Sequence, residues 1–261
     1  MRRRIPEILL LALCGIALLT PLSAQSPLRI AAAADLEPVL PPILAQFQQA
    51  TGIHAEATFQ ASAVLTTQIQ NGAPFDLFLS ADVGYPKRLI DAGLADAAGT
   101  ADSTSPIVYA RGTLVLWTRK DSHLTPSLSL LSNQALERLA VANPDRAPYG
   151  RAAVAALNSL KLYDTLKPKL VTAENISQTA QFADTGNADA GLISLTSALT
   201  ARLSSDGAYF VIPRDLYPPI EQGAVIISKT TQRAQAHQLL DYLLSATIQA
   251  QLAKSGLTPV H

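Results

Sequence analysis

The stretch Thr104–Lys120, TSPIVYARGTLVLWTRK, decides how this chain is divided. It reads as one strand-like run following another, with no crossover helix between them. Everywhere upstream, short apolar runs alternate with helical patterns. A second break of this kind is Asp215–Lys229, DLYPPIEQGAVIISK, where a proline-rich stretch leads into another lone strand. Two such connections, with strand–helix blocks on either side, predict two lobes joined by two crossing segments. Lobe I is expected over 26–108 and 219–261, and lobe II over 109–218. The alternative is a single continuous sheet.

Outward from these breaks, LRIAAAA, HAEATFQ, DLFLS, TLVLWTR, RLAVANP, KLVTAE, AGLISL, YFVIP and GAVIISK read as strands. Val39, Leu40, Ile43, Leu44 and Phe47 recur at helical spacing, as do Val64, Leu65, Gln68 and Ile69, and Ala153, Val154, Leu157 and Leu160. Gly72, Gly93 and Gly186 stand where C-terminal helix glycines belong. Two helices, roughly Gln232–Leu244 and Ala246–Lys254, close the chain. Alternation of this kind predicts an α/β fold with mostly parallel sheets.

The first 24 residues read as an export signal. MRRR is a positive leader, ILLLALCGIALLTPL is an apolar run too short for a spanning helix, and LSA precedes a cleavage point after Ala24. Without Arg2, Arg3, Arg4 and Glu7, 20 − 3 = 17 basic and 20 − 1 = 19 acidic residues remain, a net charge of −2. Such a balance gives no reason to expect nucleic acid or a membrane surface as partner. The sole cysteine, Cys14, leaves with the leader, so thiol and disulfide chemistry leave with it. A soluble periplasmic protein is the expectation.

Motifs for covalent or nucleotide chemistry are missing: no nucleophile elbow, no HExxH, no Walker loop and no dinucleotide-binding glycine pattern. His54, His123, His237 and His261 lie far apart, no carboxylates form an evident acid–base pair, and Trp117 reads as packing.

Three places share one design. In AAAADLEP a strand runs straight into a helical turn; in FQASAVL Ser62 stands as the expected N-cap; in NPDRAPYGRAA a helix opens at Tyr149-Gly150. Helix N-termini expose unpaired N–H groups and attract anions, and small side chains let a ligand approach them. The bland alternative is that Ser62 merely caps and the alanines merely pack. Two conflicts attend the first place. Pro41 and Pro42 belong at a helix start rather than inside one. Asp35, beside an anion, should repel it, unless its carboxylate caps the helix and faces away, which is the favoured account. An inward-facing Asp35 would instead favour a protonated oxyanion.

On AAAADL, FQASAVLTTQIQNGAPFDLFLSAD, LVLWTRK, LAVANPDRAPYGRAAVAAL, YDTLKPKLVTAENISQT, DAGLISL, LYPPIEQGAVI and the C-terminal helices, the chain resembles the periplasmic molybdate-binding proteins of ABC importers. These are part of the type II periplasmic binding-protein superfamily. The resemblance implies two α/β lobes, each a mixed mostly parallel sheet flanked by helices, around a cleft with two crossing hinge segments. It implies a tetrahedral oxyanion, molybdate or tungstate, held by neutral donors, and no other cofactor. By position, Ala34, Asp35 and Ser62 would serve from the first lobe, with Tyr149 and the Ile176 amide from the second. Ser62, Tyr149 and Ile176 would reach the metal centre only through hydrogen bonds to its oxygens. Some members carry a hydroxyl where this chain has Ala34-Asp35, and some a tyrosine ligand where it has Ser194; the resemblance to a subgroup implies that Tyr149 supplies the phenol instead, which puts a role for Ser194 in doubt. The partners implied are the oxyanion and an inner-membrane permease, the protein being a monomer and no enzyme. The competing readings are another oxyanion, such as phosphate or sulfate, and a secreted hydrolase using Ser62, for which no base is evident.

Overall fold

A computed structural model describes residues 26–97 and 104–260. The expected export signal lies outside the described residues. Among the described residues no helix is long and apolar enough to cross a membrane.

The strands are β1 (Leu28–Ala33), β2 (Ala55–Gln60), β3 (Leu77–Ser80), β4 (Ala95–Ala97), β5 (Ile107–Gly112), β6 (Leu114–Arg119), β7 (Leu139–Ala142), β8 (Leu170–Ala173), β9 (Ala190–Ser194), β10 (Gly207–Val211) and β11 (Ile220–Ile227). The helices are α1 (Leu40–Thr51), α2 (Ser62–Gln70), α3 (Gly84–Asp91), α4 (Pro148–Ser159), α5 (Tyr163–Leu166), α6 (Ile176–Asp184), α7 (Leu195–Ala198), α8 (Ala201–Asp206), α9 (Arg233–Leu244) and α10 (Ala246–Lys254).

Two separate sheets form. The first runs β2-β1-β3-β11-β4, with β5 also on β11; the second runs β10-β6-β9-β7-β8. Within each sheet the strands linked through helices include parallel pairs, β1 with β2 and β3, and β7 with β8 and β9. The strands on either side of the two breaks pair antiparallel: β5 with β11, and β6 with β9 and β10. Both sheets are therefore mixed. The chain leaves the first sheet at Thr113, between β5 and β6, and returns through 212–219. Residues 109–112 thus lie with the first sheet, a few residues beyond the expected division.

Period-two alternation places the core on both faces of each sheet. Ile30, Leu77 and Leu79 pack towards α1, α9 and α10 with Phe47 and Leu239, while Ala31 and Phe78 pack with Leu65, Ile69 and Leu89 of α2 and α3. In the second sheet Leu114 and Leu116 join the cluster containing Leu157, and Val115 and Trp117 join the one with Ala180 and Ala183. The three glycines anticipated at helix ends all have positive φ, from 68° to 85°.

The proline conflict resolves by division. Residues Ala34–Leu36 make a short 3-10 turn, and α1 begins separately at Leu40, so Pro41 falls in its first turn, where a missing N–H costs nothing.

Candidate ligand-binding site

The five residues expected at the site, Ala34, Asp35, Ser62, Tyr149 and Ile176, all line one small pocket between the two lobes. The elements that bring them together are the end of β1 and the starts of α2, α4 and α6. Ala33 and Ala34 are 2 and 3 % exposed. A larger side chain at either would fill the pocket, which is why β1 ends in alanine although alanine is a poor strand former.

Ser62 is not an N-cap. Ala61 holds that position, and Ser62 is the first helical residue of α2. Its Oγ accepts the Ala81 N–H at 3.1 Å, so its own hydrogen is left to donate. Tyr149 follows Pro148 in the first turn of α4. The turn packs against the end of β7 because residue 150 is glycine: a Cβ there would lie 2.3 Å from Ala142 O. Ile176 opens α6, capped by Asn175, whose side chain accepts the Gln178 N–H at 2.9 Å. First-turn amides of α2, α4 and α6 therefore come to one place, from both lobes. Among the described residues, the only charged one lining the pocket is Asp35.

Asp35 overturns the capping account. Its carboxylate caps no helix. It is fully buried, and Oδ2 accepts the Tyr149 phenol at 3.1 Å and a short contact from Gln222 Nε2. Oδ1 has no hydrogen-bond partner. Burial pushes its pKa up from 3.8 to about 6, against the opposing pull of Gln222, Tyr149 and its own backbone N–H. Burial also holds the Tyr149 phenol well above its ordinary value, reinforced by the Asp35 charge. The phenolic hydrogen of Tyr149 is thus committed to Asp35 and not to a ligand, where the resemblance placed it, and what Tyr149 offers the pocket is its helix-start amide.

Sequence reading missed the residues behind Asp35. Gln222 of β11 sits where the pairing with β5 shifts register: β5 carries one extra residue there, Tyr109, a bulge of the kind that re-aims a side chain. Its Oε1 accepts the Tyr109 hydroxyl at 2.8 Å, which fixes the amide with Nε2 towards Asp35. Thr196 Oγ1 donates to Asp35 O and Ser177 Oγ to Ala34 O, both at 2.8 Å, from the second lobe. A glutamine inside an apolar strand was the one signal available. Ser194 caps α7 by accepting the Ser197 N–H and does not line the pocket.

At the rim the lobes are clasped. Arg151 of α4 pairs with Asp82 after β3, and lies 5.3 Å over the Tyr85 ring. Tyr85 donates to Asp145 O at 3.2 Å, and the Ala63 N–H to Arg146 O at 3.1 Å.

Two α/β lobes joined by two crossing segments, closed on a pocket of backbone and hydroxyl donors, define a solute-binding protein. The chain belongs to the bacterial extracellular solute-binding proteins, whose family model matches residues 28–258. It is 37 % identical over 229 residues to the molybdate-binding protein ModA of Azotobacter vinelandii, covering 88 % of each chain. It is 38 % identical to ModA of Rhodobacter capsulatus, covering 88 % of this chain and 86 % of that one. Among solved structures it is similar to the Azotobacter vinelandii periplasmic molybdate-binding protein, with a TM-score of 0.82 and 29 % identity over 90 % of this chain and 100 % of that one.

Proposed function

We propose that this protein is exported to the periplasm, captures molybdate or tungstate between its lobes, and delivers it to an inner-membrane ABC permease. The observation that carries this is the convergence of three helix starts on one pocket that, among the described residues, no lysine, arginine or histidine lines. A buried dianion is costly to desolvate, and several charge-assisted hydrogen bonds at about 1.5–3 kcal/mol each offset that cost. Neutral donors also leave the ion releasable. Ser62 Oγ, with the amides of Ser62, Tyr149 and Ile176, is the donor set. Ligand contacts to both lobes favour the closed form, which is how capture is signalled to a permease. The export leader ends at Ala24, and the mature protein acts as a monomer without catalysis.

One observation favours a second reading. An inward-facing carboxylate suits an oxyanion that carries its own proton, such as hydrogen phosphate. Calorimetric titration with molybdate, tungstate, sulfate and phosphate at fixed pH decides between them. Tight phosphate binding without molybdate binding would overturn the first reading.

A further inference from the structure

Asp35 is buried among neutral groups, in the wall of a pocket read above as an anion site. Oδ2 already accepts from two donors, the Tyr149 phenol and the Gln222 amide, whereas Oδ1 has none. A proton arriving at this carboxyl group therefore goes to Oδ1. Once there, it makes Oδ1 a hydrogen-bond donor that has no protein acceptor among the described residues, in a side chain bordering the pocket.

Resting on the oxyanion reading, we propose that Asp35 is the residue that couples capture to proton uptake: a bare dianion enters, one proton from solvent joins Oδ1, and the resulting carboxylic acid donates to an oxyanion oxygen. The balance is simple: the ion brings no proton, the protein gains one, and the buried pair carries one negative charge fewer. A repelling acceptor becomes one more neutral donor, and it supplies the side-chain donor that Ala34 lacks.

The surroundings support this. The titratable groups facing Asp35 are the phenols of Tyr149 from α4 and Tyr109 from β5, both held protonated by burial. Behind Tyr149 stands Tyr217, whose hydroxyl accepts the Leu114 N–H. From β11 comes only the Gln222 amide; α7 and α6 bring only hydroxyls, Thr196 and Ser177, onto the backbone carbonyls of 35 and 34. Glu37, two residues on, is exposed to solvent. The Arg151–Asp82 pair is spent on itself at the rim. With no cation lining the pocket, the charge of Asp35 has no counterion there, and burial already raises its pKa to about 6. A second negative charge raises it further.

The test is calorimetry of the intact protein with sodium molybdate near neutral pH, in buffers of different ionisation enthalpy. The expected result is uptake of about one proton per ion bound, and affinity falling by up to about tenfold per pH unit above about pH 6.5. Asp35→Asn, which keeps shape and neutrality, is expected to abolish both. Infrared difference spectra of the wild type provide a readout free of any variant: a protonated-carboxyl band should appear on adding molybdate. Molybdate binding with no net proton uptake would overturn the proposal, as would the same uptake in Asp35→Asn. Phosphate binding without molybdate would overturn it too, the proton then arriving on the ligand. Failure of every oxyanion to bind would instead remove the reading on which it rests.

Discussion

Tyr149 reaches across the lobe boundary to Asp35 only because nothing stands at Gly112: a Cβ there would lie 2.2 Å from the phenol oxygen. Gly112 is the last residue of β5, immediately before the chain crosses at Thr113. The crossing segment therefore doubles as the slot for a side chain of the pocket.

Gly112→Ala forces the Tyr149 ring or the crossing strand to move. Overpacking of this kind costs about 1–3 kcal/mol. The expected outcome is a lower thermal midpoint together with weakened oxyanion affinity, read by calorimetry. An unchanged midpoint would mean that the slot is roomier than its geometry.

Asp35 makes stability depend on pH in a defined direction. Its folded pKa, about 6, lies above the ordinary 3.8, so the folded state binds the proton more tightly than the unfolded chain. The stabilisation is fully present below about pH 4 and is lost as pH rises through about 6, with a span of roughly 3 kcal/mol. Asp35→Asn cannot titrate there. Wild type should thus lose stability relative to Asp35→Asn between pH 4 and 7 and run parallel to it above. Chemical denaturation of both proteins across this range checks the sign, and parallel behaviour throughout would contradict it.

Ser62→Ala removes both a donor to the pocket and the acceptor for the buried Ala81 N–H. An unsatisfied buried donor costs about 1–3 kcal/mol. Affinity and stability should fall together in this variant, whereas Ser194→Ala, off the pocket, should change stability alone. Paired titration and melting curves separate the two.

Much of the fold was legible because it is written in local chemistry. Short apolar runs marked β3, β6 and β9, glycines marked helix ends, and the missing crossover before Leu114 marked the passage between lobes. The five residues that line the pocket were legible from helix-start patterns and, for Ile176, from resemblance alone. What escaped was long-range. Nothing near Asp35 in the chain announces Gln222, 187 residues away, or the Tyr149 phenol, 114 away. Helix capping was the local use for an acid at that position, and tertiary burial overrode it. Ser62 escaped by one residue: the extended Ala61 takes the cap, and the hydroxyl turns to Ala81 instead.

Arg151→Ala tests the rim clasp. Side chains of Arg151 and Asp82 are 44 and 20 % exposed, so the pair contributes little to folding, about 0–1 kcal/mol. Its contacts to Asp82 and Tyr85 span the lobes, so losing them should speed ligand release with little change in the melting curve. Stopped-flow dissociation reads this directly, and an unaltered off-rate would assign the clasp no part in retention.

Trp117 is the sole tryptophan of the chain, fully buried in the second lobe, its indole N–H on Leu203 O at 3.1 Å and its ring against the bare Cα of Gly207. The protein therefore carries a built-in fluorophore shielded from quenchers and wedged behind α8 and β10. Its emission will chart the melting of that half of the molecule, while events at the mouth of the clamshell leave it dark to them.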